Sequence, residues 1–153
     1  MTIRRAVRGD AALLARHRAE VWTEVGEWTR DELAGVLPQW VAFFADTLAD
    51  GTCVAWIAEE NDDPIASGAL LRQPAIPRPG SSSRHEGRVH SVYVEPAFRR
   101  RGVAQAIMDE LVRHARETGV IRLKLHPSDL ARPLYRKMGF VDLDEMGLQL
   151  IED

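Results

Sequence analysis

A mixed α/β domain built around one sheet is the fold class that the 153-residue sequence predicts. Three observations carry the prediction. Long segments place apolar residues with helical spacing, short runs of β-favouring residues lie between them, and turns rich in Gly, Pro and Asp punctuate both. The sequence shows no internal repeat and no linker, so residues 1–153 are expected to form a single domain.

Residues 3–7 alternate as a short strand, and Gly9-Asp10 then offers a cap for a helix carrying Leu13, Leu14, His17, Val21 and Trp22 on one face. Thr29 and Glu32 have capping-box spacing and open a second helix. Its apolar stripe runs from Leu33 through Val36, Leu37, Trp40, Val41 and Phe44 to Leu48, and Asp50-Gly51 stops it. Pro38 lies inside the stripe and is expected to break or kink the helix just before itself. Residues 52–59 suit a buried pleated surface, and the turn Asn61-Asp62-Asp63-Pro64 returns the chain as a second strand over 65–71. Residues 74–84, with Pro74, Pro77, Pro79, Gly80 and serines, read as a loop. A strand follows over 87–94, a helix over 102–118 with Ala104, Ile107, Met108, Leu111 and Ala115 on one face, and a strand over 120–126. A short helix over 129–138 and strands over 140–143 and 147–151 complete the order β-α-α-β-β-β-α-β-α-β-β.

Composition removes several functions. The formal charge of −3 gives no global positive field to gather nucleic acid or anionic lipid. A basic-turn nucleic-acid binder is therefore disfavoured, and it would show steeply salt-dependent binding. No apolar run approaches a membrane span, and the arginines among the first ten residues do not make a signal peptide, so the expected location is cytoplasmic, away from any membrane. Cys53 is the only cysteine and sits in an apolar run, so neither a disulfide nor a thiolate metal cage is expected and Cys53 reads as core. The four tryptophans, Trp22, Trp28, Trp40 and Trp56, read as core anchors.

The most informative stretch is His90-Ser91-Val92-Tyr93-Val94-Glu95-Pro96-Ala97-Phe98-Arg99-Arg100-Arg101-Gly102-Val103-Ala104-Gln105. A strand runs into a basic turn that opens directly into a helix. The first amides of a helix lack intrahelical partners and the helix dipole adds positive charge there, so a phosphate group satisfies both. Gly102 lets the backbone close on such a group, Ala104 keeps the first turn small, and Arg99, Arg100 and Arg101 supply guanidinium charge. The string Arg-x-x-Gly-x-Ala alone arises by chance in about one chain in seven of this length. Its placement between strand and helix is what raises it above a solvated arginine cluster. Further on, Leu134-Tyr135-Arg136-Lys137-Met138-Gly139-Phe140 reads as a helix end, with Gly139 in the left-handed position and Phe140 folding back on the last turn.

Together these residues resemble the GNAT superfamily of acyl-CoA-dependent N-acetyltransferases. The superfamily's diphosphate signature matches Arg99, Gly102 and Ala104, and its late Leu-Tyr-x-x-x-Gly-Phe string matches Leu134, Tyr135, Gly139 and Phe140. The resemblance implies a central, mostly antiparallel six- to seven-stranded sheet flanked by about four helices, acetyl-CoA as cosubstrate, no metal, and a possible homodimer. It implies that Val92, Tyr93 and Val94 bind pantetheine through backbone bonds, that Arg99, Arg100, Arg101, Gly102, Val103, Ala104 and Gln105 surround the diphosphate, and that Ser128, where members often carry Asn, meets the pantetheine arm. Pro133 is expected to make the last helix start late.

The implied reaction is attack of a small-molecule or peptide primary amine on the thioester, with Tyr135 as general acid and a backbone N–H near Val92 at the oxyanion. His90 is the first candidate for general base, because strict alternation would put it on the face of Val92 and Val94. Glu86, His126 or an ordered water remain alternatives, and His90 would equally serve as a structural residue within the sheet. His17, His85 and His114 read as surface. The first two helices and the 74–84 loop should govern the acceptor, with Glu24, Glu27 and Asp31 as an acidic patch that could attract a cationic amine or simply face solvent. A non-catalytic acyl-CoA-binding or sensing module would share the same motifs.

Overall fold

The computed structural model describes residues 1–151. Strand β1 (Thr2–Arg5) leads through a 3₁₀ turn into helices α1 (Ala11–Val25) and α2 (Arg30–Asp50). A hairpin of β2 (Cys53–Glu60) and β3 (Asp63–Pro74) follows, then β4 (His85–Val94), α3 (Val103–Glu117), β5 (Val120–Lys124) and α4 (Arg132–Lys137). The five strands lie in the order β1-β2-β3-β4-β5, antiparallel except for the parallel β4–β5 pair.

Local chemistry explains most boundaries. Glu32 N donates to Thr29 Oγ1 at 3.1 Å while Thr29 N donates to Glu32 Oε2 at 2.8 Å, which is the predicted capping box. The hairpin turns on Asn61 and Asp62 at φ 53° and 65°, a two-residue type I′ turn whose twist matches its strands. Asp10 spends its carboxylate on Arg4 and on the Val7 amide instead of capping α1. Helix α2 passes through Pro38 without a break, contrary to expectation. Pro38 and Ala34, whose carbonyl loses its donor, are both exposed, so water can satisfy the freed group.

The sheet is covered on both faces, which is why β2 is buried along six successive residues. On one face, Ile107, Met108 and Leu111 of α3 pack with Trp56, Leu70 and Val89. Burying each such side chain contributes about 1.5–3 kcal/mol. On the other face, Leu14 and Ala15 of α1 and Phe44 of α2 cover Cys53, Ala55, Ile57 and Ala69. Cys53 is core as expected, and burial pushes its thiol up to about 12. Of the tryptophans only Trp56 is fully core; Trp22 and Trp28 meet each other at 4.6 Å and, like Trp40, remain half-buried.

The predicted strands over 140–143 and 147–151 do not form, so the sheet has five strands among the described residues instead of six or seven. Residues 141–150 are exposed throughout, Met146, Leu148 and Leu150 almost completely, and the outer edge of β5 has no strand beside it. Alternation marks a segment able to pair; it cannot supply the neighbour. Among the described residues no helix is long and apolar enough to cross a membrane.

Candidate active site

The site begins at an irregularity in β4. Ser91 has φ 58°, and the β3–β4 register shifts by one residue opposite Gly68. This is a β-bulge, and it resets the alternation of side chains. Val89 before it and Val92 and Val94 after it face α3, whereas His90, Ser91 and Tyr93 face α1. His90 therefore does not share a face with Val92 and Val94; the extra residue at Ser91 breaks the period-two count on which that expectation rested. Gly68 permits the bulge, since a Cβ there would come within 2.7 Å of Ile107.

The bulge also sets the backbone. Glu95 N donates to Ile65 O at 2.8 Å, so by antiparallel alternation Tyr93 bonds to Ser67 while Val92 and Val94 direct their polar groups away from β3. On that side β5 pairs only with residues His85 to Arg88, so the strands part and leave a wedge beside Val92 and Val94. The Val94 carbonyl accepts from Arg99 Nε at 2.9 Å. Tyr93 is separated from its two neighbours: its backbone belongs to β3 and its ring packs on His17 at 4.9 Å.

At the end of the wedge the chain makes a tight turn with Arg100 at φ 63° and Gly102 at φ 76°. Gly102 holds the N-cap position of α3, and the first amide to find an intrahelical partner is that of Ala106, which donates to Gly102 O. The amides of Val103, Ala104 and Gln105 are thus left pointing out of a 15-residue helix whose first turn carries no acidic residue. Arg100 and Arg101 are exposed beside them, with Arg101 over the Phe98 ring at 5.5 Å. Arg99 behaves differently from its neighbours. Its guanidinium is engaged by Glu24 and Val94 and lies over Tyr93, so it clasps α1 to β4.

Helix α4 starts only at Arg132, with Pro133 in its first turn, as the sequence suggested. It ends as predicted: Phe140 N bonds to Tyr135 O and Gly139 N to Arg136 O, both at 3.0 Å, with Gly139 at φ 101°. Phe140 meets the Tyr135 ring edge-on at 5.6 Å. Tyr135 is 8% exposed and belongs to the apolar cluster against which Val92 and Val94 also pack. Burial raises its pKa, so the phenol stays protonated at neutral pH. Tyr135 and His126 also line a cavity of ≈ 310 Å³ between β5, α4 and residues 140–145. Ser128 caps the turn before α4, accepting from Ala131 N at 3.2 Å, which leaves its O–H free to donate.

On the opposite face, His90 lines a cavity of ≈ 370 Å³ with Arg18, Trp40 and Phe43. Burial, then the charges of Arg18 and Arg88, lower its pKa to about 4, so it is neutral at pH 7 and only weakly basic. Glu86 pairs with Lys124 at 3.7 Å. His17, expected at the surface, is fully buried: Nδ1 lies 2.7 Å from Ser67 Oγ, and Nε2 has no hydrogen-bond partner and lies 3.6 Å from Glu95 Oε1. Its place on the apolar stripe of α1 was the available signal. Glu24 is tied to Arg99, while Glu27 and Asp31 are exposed, so the predicted acidic patch is dispersed. Among the described residues no cluster of His, Cys, Asp or Glu could hold a metal ion.

This geometry has close counterparts. A GCN5-related N-acetyltransferase from Ralstonia eutropha JMP134 superposes with a TM-score of 0.88 at 28% identity, covering 97% of both chains. A predicted acetyltransferase from Clostridium acetobutylicum, solved with acetyl-CoA, gives 0.87 at 31% identity over 97% of this chain and 96% of that one. Among curated proteins, the glucosamine 6-phosphate N-acetyltransferase of Trypanosoma brucei brucei is 32% identical over 76 residues, half of each chain. The N-alpha-acetyltransferase RimI of Mycobacterium tuberculosis is 36% identical over 76 residues, 49% of this chain and 48% of that protein. The matched stretch thus spans about half the length of these two relatives. The profile of the acetyltransferase (GNAT) family matches residues 18–140, from α1 through the cap of α4. With the split strand, the basic turn and the capped tyrosine helix all inside the matched region, the chain belongs to the GNAT family of acetyltransferases.

Proposed function

We propose that the protein is an N-acetyltransferase that takes acetyl-CoA as cosubstrate and acetylates a primary amine of a small molecule or peptide. One observation carries the reading: the Ser91 bulge turns the Val92 and Val94 backbones into a wedge that ends at the free amides of α3. The residues fit the cofactor's shape. Val92 and Val94 offer strand-like bonds to pantetheine, the Val103, Ala104 and Gln105 amides with Arg100 and Arg101 offer an anion cradle, and Tyr135 stands in the same apolar cluster as the two valines. Acetyl-CoA supplies an acetyl group activated as a thioester. In this reading the Val92 amide donates to a carbonyl oxygen as it gains charge, and Tyr135 protonates a departing thiolate. His90, on the far side of β4, lines the ≈ 370 Å³ cavity and is neutral, as a proton acceptor must be, although its low pKa makes it a weak one.

Acetyl-CoA at a hundred times its Kd should stabilise the protein by about 2.7 kcal/mol, which in a chain of this size raises Tm by about 5–10 °C. Gly102→Val should abolish the rise, because a β-branched residue resists φ 76°, while leaving an exposed position otherwise intact. No shift in the wild-type protein would defeat the reading. A shift without thiol release on any amine would leave an acyl-CoA-binding module.

We propose also that two copies pair through the exposed segment after Phe140, each laying its apolar residues along the other's open β5 edge. Light scattering should give twice the monomer mass, and truncation after Phe140 should return a monomer. A monomeric full-length protein at micromolar concentration would refute the pairing.

A further inference from the structure

The cavity between α1, α2 and the bulge holds a guanidinium that the fold does not neutralise. Arg18 is half-buried, and burial is the cause that lowers its pKa. Nη1 donates to Ser91 Oγ at 3.0 Å, and the guanidinium carbon lies 4.9 Å from the Trp40 ring centre and 5.7 Å from that of Trp22. Among the described residues no carboxylate pairs with it, in a protein where Arg4, Arg99, Arg113 and Arg136 all have acidic partners. A desolvated cation without an anion is costly, and indole faces offset only part of the cost.

The rest of the cavity is one-sided in the same way. Gln39, Trp40, Phe43, Leu71 and His90 line it with Arg18, and no acidic side chain is among the lining residues. Phe43, 45% exposed, and Trp40 form an aromatic wall open to solvent. Arg88, itself 3.9 Å from Glu145, adds some positive potential at His90. Such a surface repels a polyamine and suits a molecule with an anionic group beside a flat apolar body. Because Arg18 touches Ser91, which adjoins Val92, that anion would lie on the α1 side of the bulge.

We infer that this cavity is the acceptor site, that Arg18 binds an oxyanion of the acceptor, carboxylate or phosphate, and that the acceptor's apolar body rests on Trp40 and Phe43. The inference deepens the acetyltransferase reading and rests on it for the word acceptor, but oxyanion binding can be measured without turnover. Three probes differing in headgroup, 3-phenylpropionate, its neutral amide and phenyl phosphate, would be titrated against the full-length protein by tryptophan fluorescence. Wild type should bind at least one oxyanion about 10-fold more tightly than the amide, and Arg18→Gln, checked for folding by circular dichroism, should lose the preference. The tighter of the two anions identifies the headgroup. Equal binding of all three probes by the wild type overturns the inference without needing the variant, and so does a preference that survives Arg18→Gln. Turnover separates the two readings. Phenylalanine should show a KM about 10-fold below that of 2-phenylethylamine. Selective oxyanion binding with no thiol release would sink the acetyltransferase reading and leave the site standing.

Discussion

Tyr135→Phe is expected to lower kcat by at least about 100-fold while the acetyl-CoA thermal shift stays unchanged. The substitution removes one oxygen and keeps the ring. That ring makes the edge-on contact with Phe140 and belongs to the cluster with Val92, Val94 and Ile107, so the Schellman cap and the core should survive. The phenylalanine ring introduces no new buried donor or acceptor that would need a partner. What disappears is a proton that burial holds on the phenol well above neutral pH, available to a thiolate leaving in a dry cleft. The measurement is steady-state thiol release against amine concentration, paired with melting in acetyl-CoA. Unchanged kcat removes Tyr135 from the chemistry. A joint loss of kcat and of the acetyl-CoA shift would assign it a role in building the cleft.

How much of this was legible depended on how local each signal is. The Thr29–Glu32 box and the Gly139-Phe140 cap are written in residues a few positions apart and form as read, whereas the turn expected over Asn61-Asp62-Asp63-Pro64 tightens to Asn61-Asp62, with Asp63 and Pro64 already in β3. The amphipathic face of α3 was equally plain, since Ile107, Met108, Leu111 and Ala115 meet the sheet directly. The facing of His90 failed because it was reasoned by counting in twos across Ser91. A bulge depends on the partner strand, and here the partner residue is Gly68, whose missing Cβ makes room for Val92 and Ile107. A lone glycine inside an otherwise apolar strand was the clue. The last two strands failed for a related reason: residues 140–151 alternate as strands do, but a strand exists only beside another. Arg99 and Ser128 occupy the right positions in the motifs, and their side chains also meet Glu24 and the Ala131 amide, contacts that no motif spacing reveals.

His17 gives the second large effect, a loss of stability in mild acid. Its ring has no exposed surface, and burial, with a smaller contribution from Arg16, holds its pKa at about 4 against 6.5 for a free histidine. Glu95 lies 3.6 Å from Nε2 and would favour the protonated ring, but the carboxylate is 38% exposed to water, so desolvation of the imidazole dominates. The unfolded chain therefore binds a proton that the folded chain refuses. Stability is complete above pH 6.5 and falls with each step toward pH 4, by about 1.4 kcal/mol per unit and about 3 kcal/mol across the window. His90, with its pKa also near 4, adds a fall of the same sign over the same range. Asp10, held low by Arg4, loses its contribution only below that window, so the two effects separate on the pH axis. Urea unfolding from pH 7.5 to 4.5 should show the decline, and His17→Gln, which cannot titrate, should reduce the slope to the part that His90 contributes. A wild-type stability that holds level to pH 4.5 would mean that His17 protonates in place and closes on Glu95, reversing the balance of burial and charge around the His17 ring.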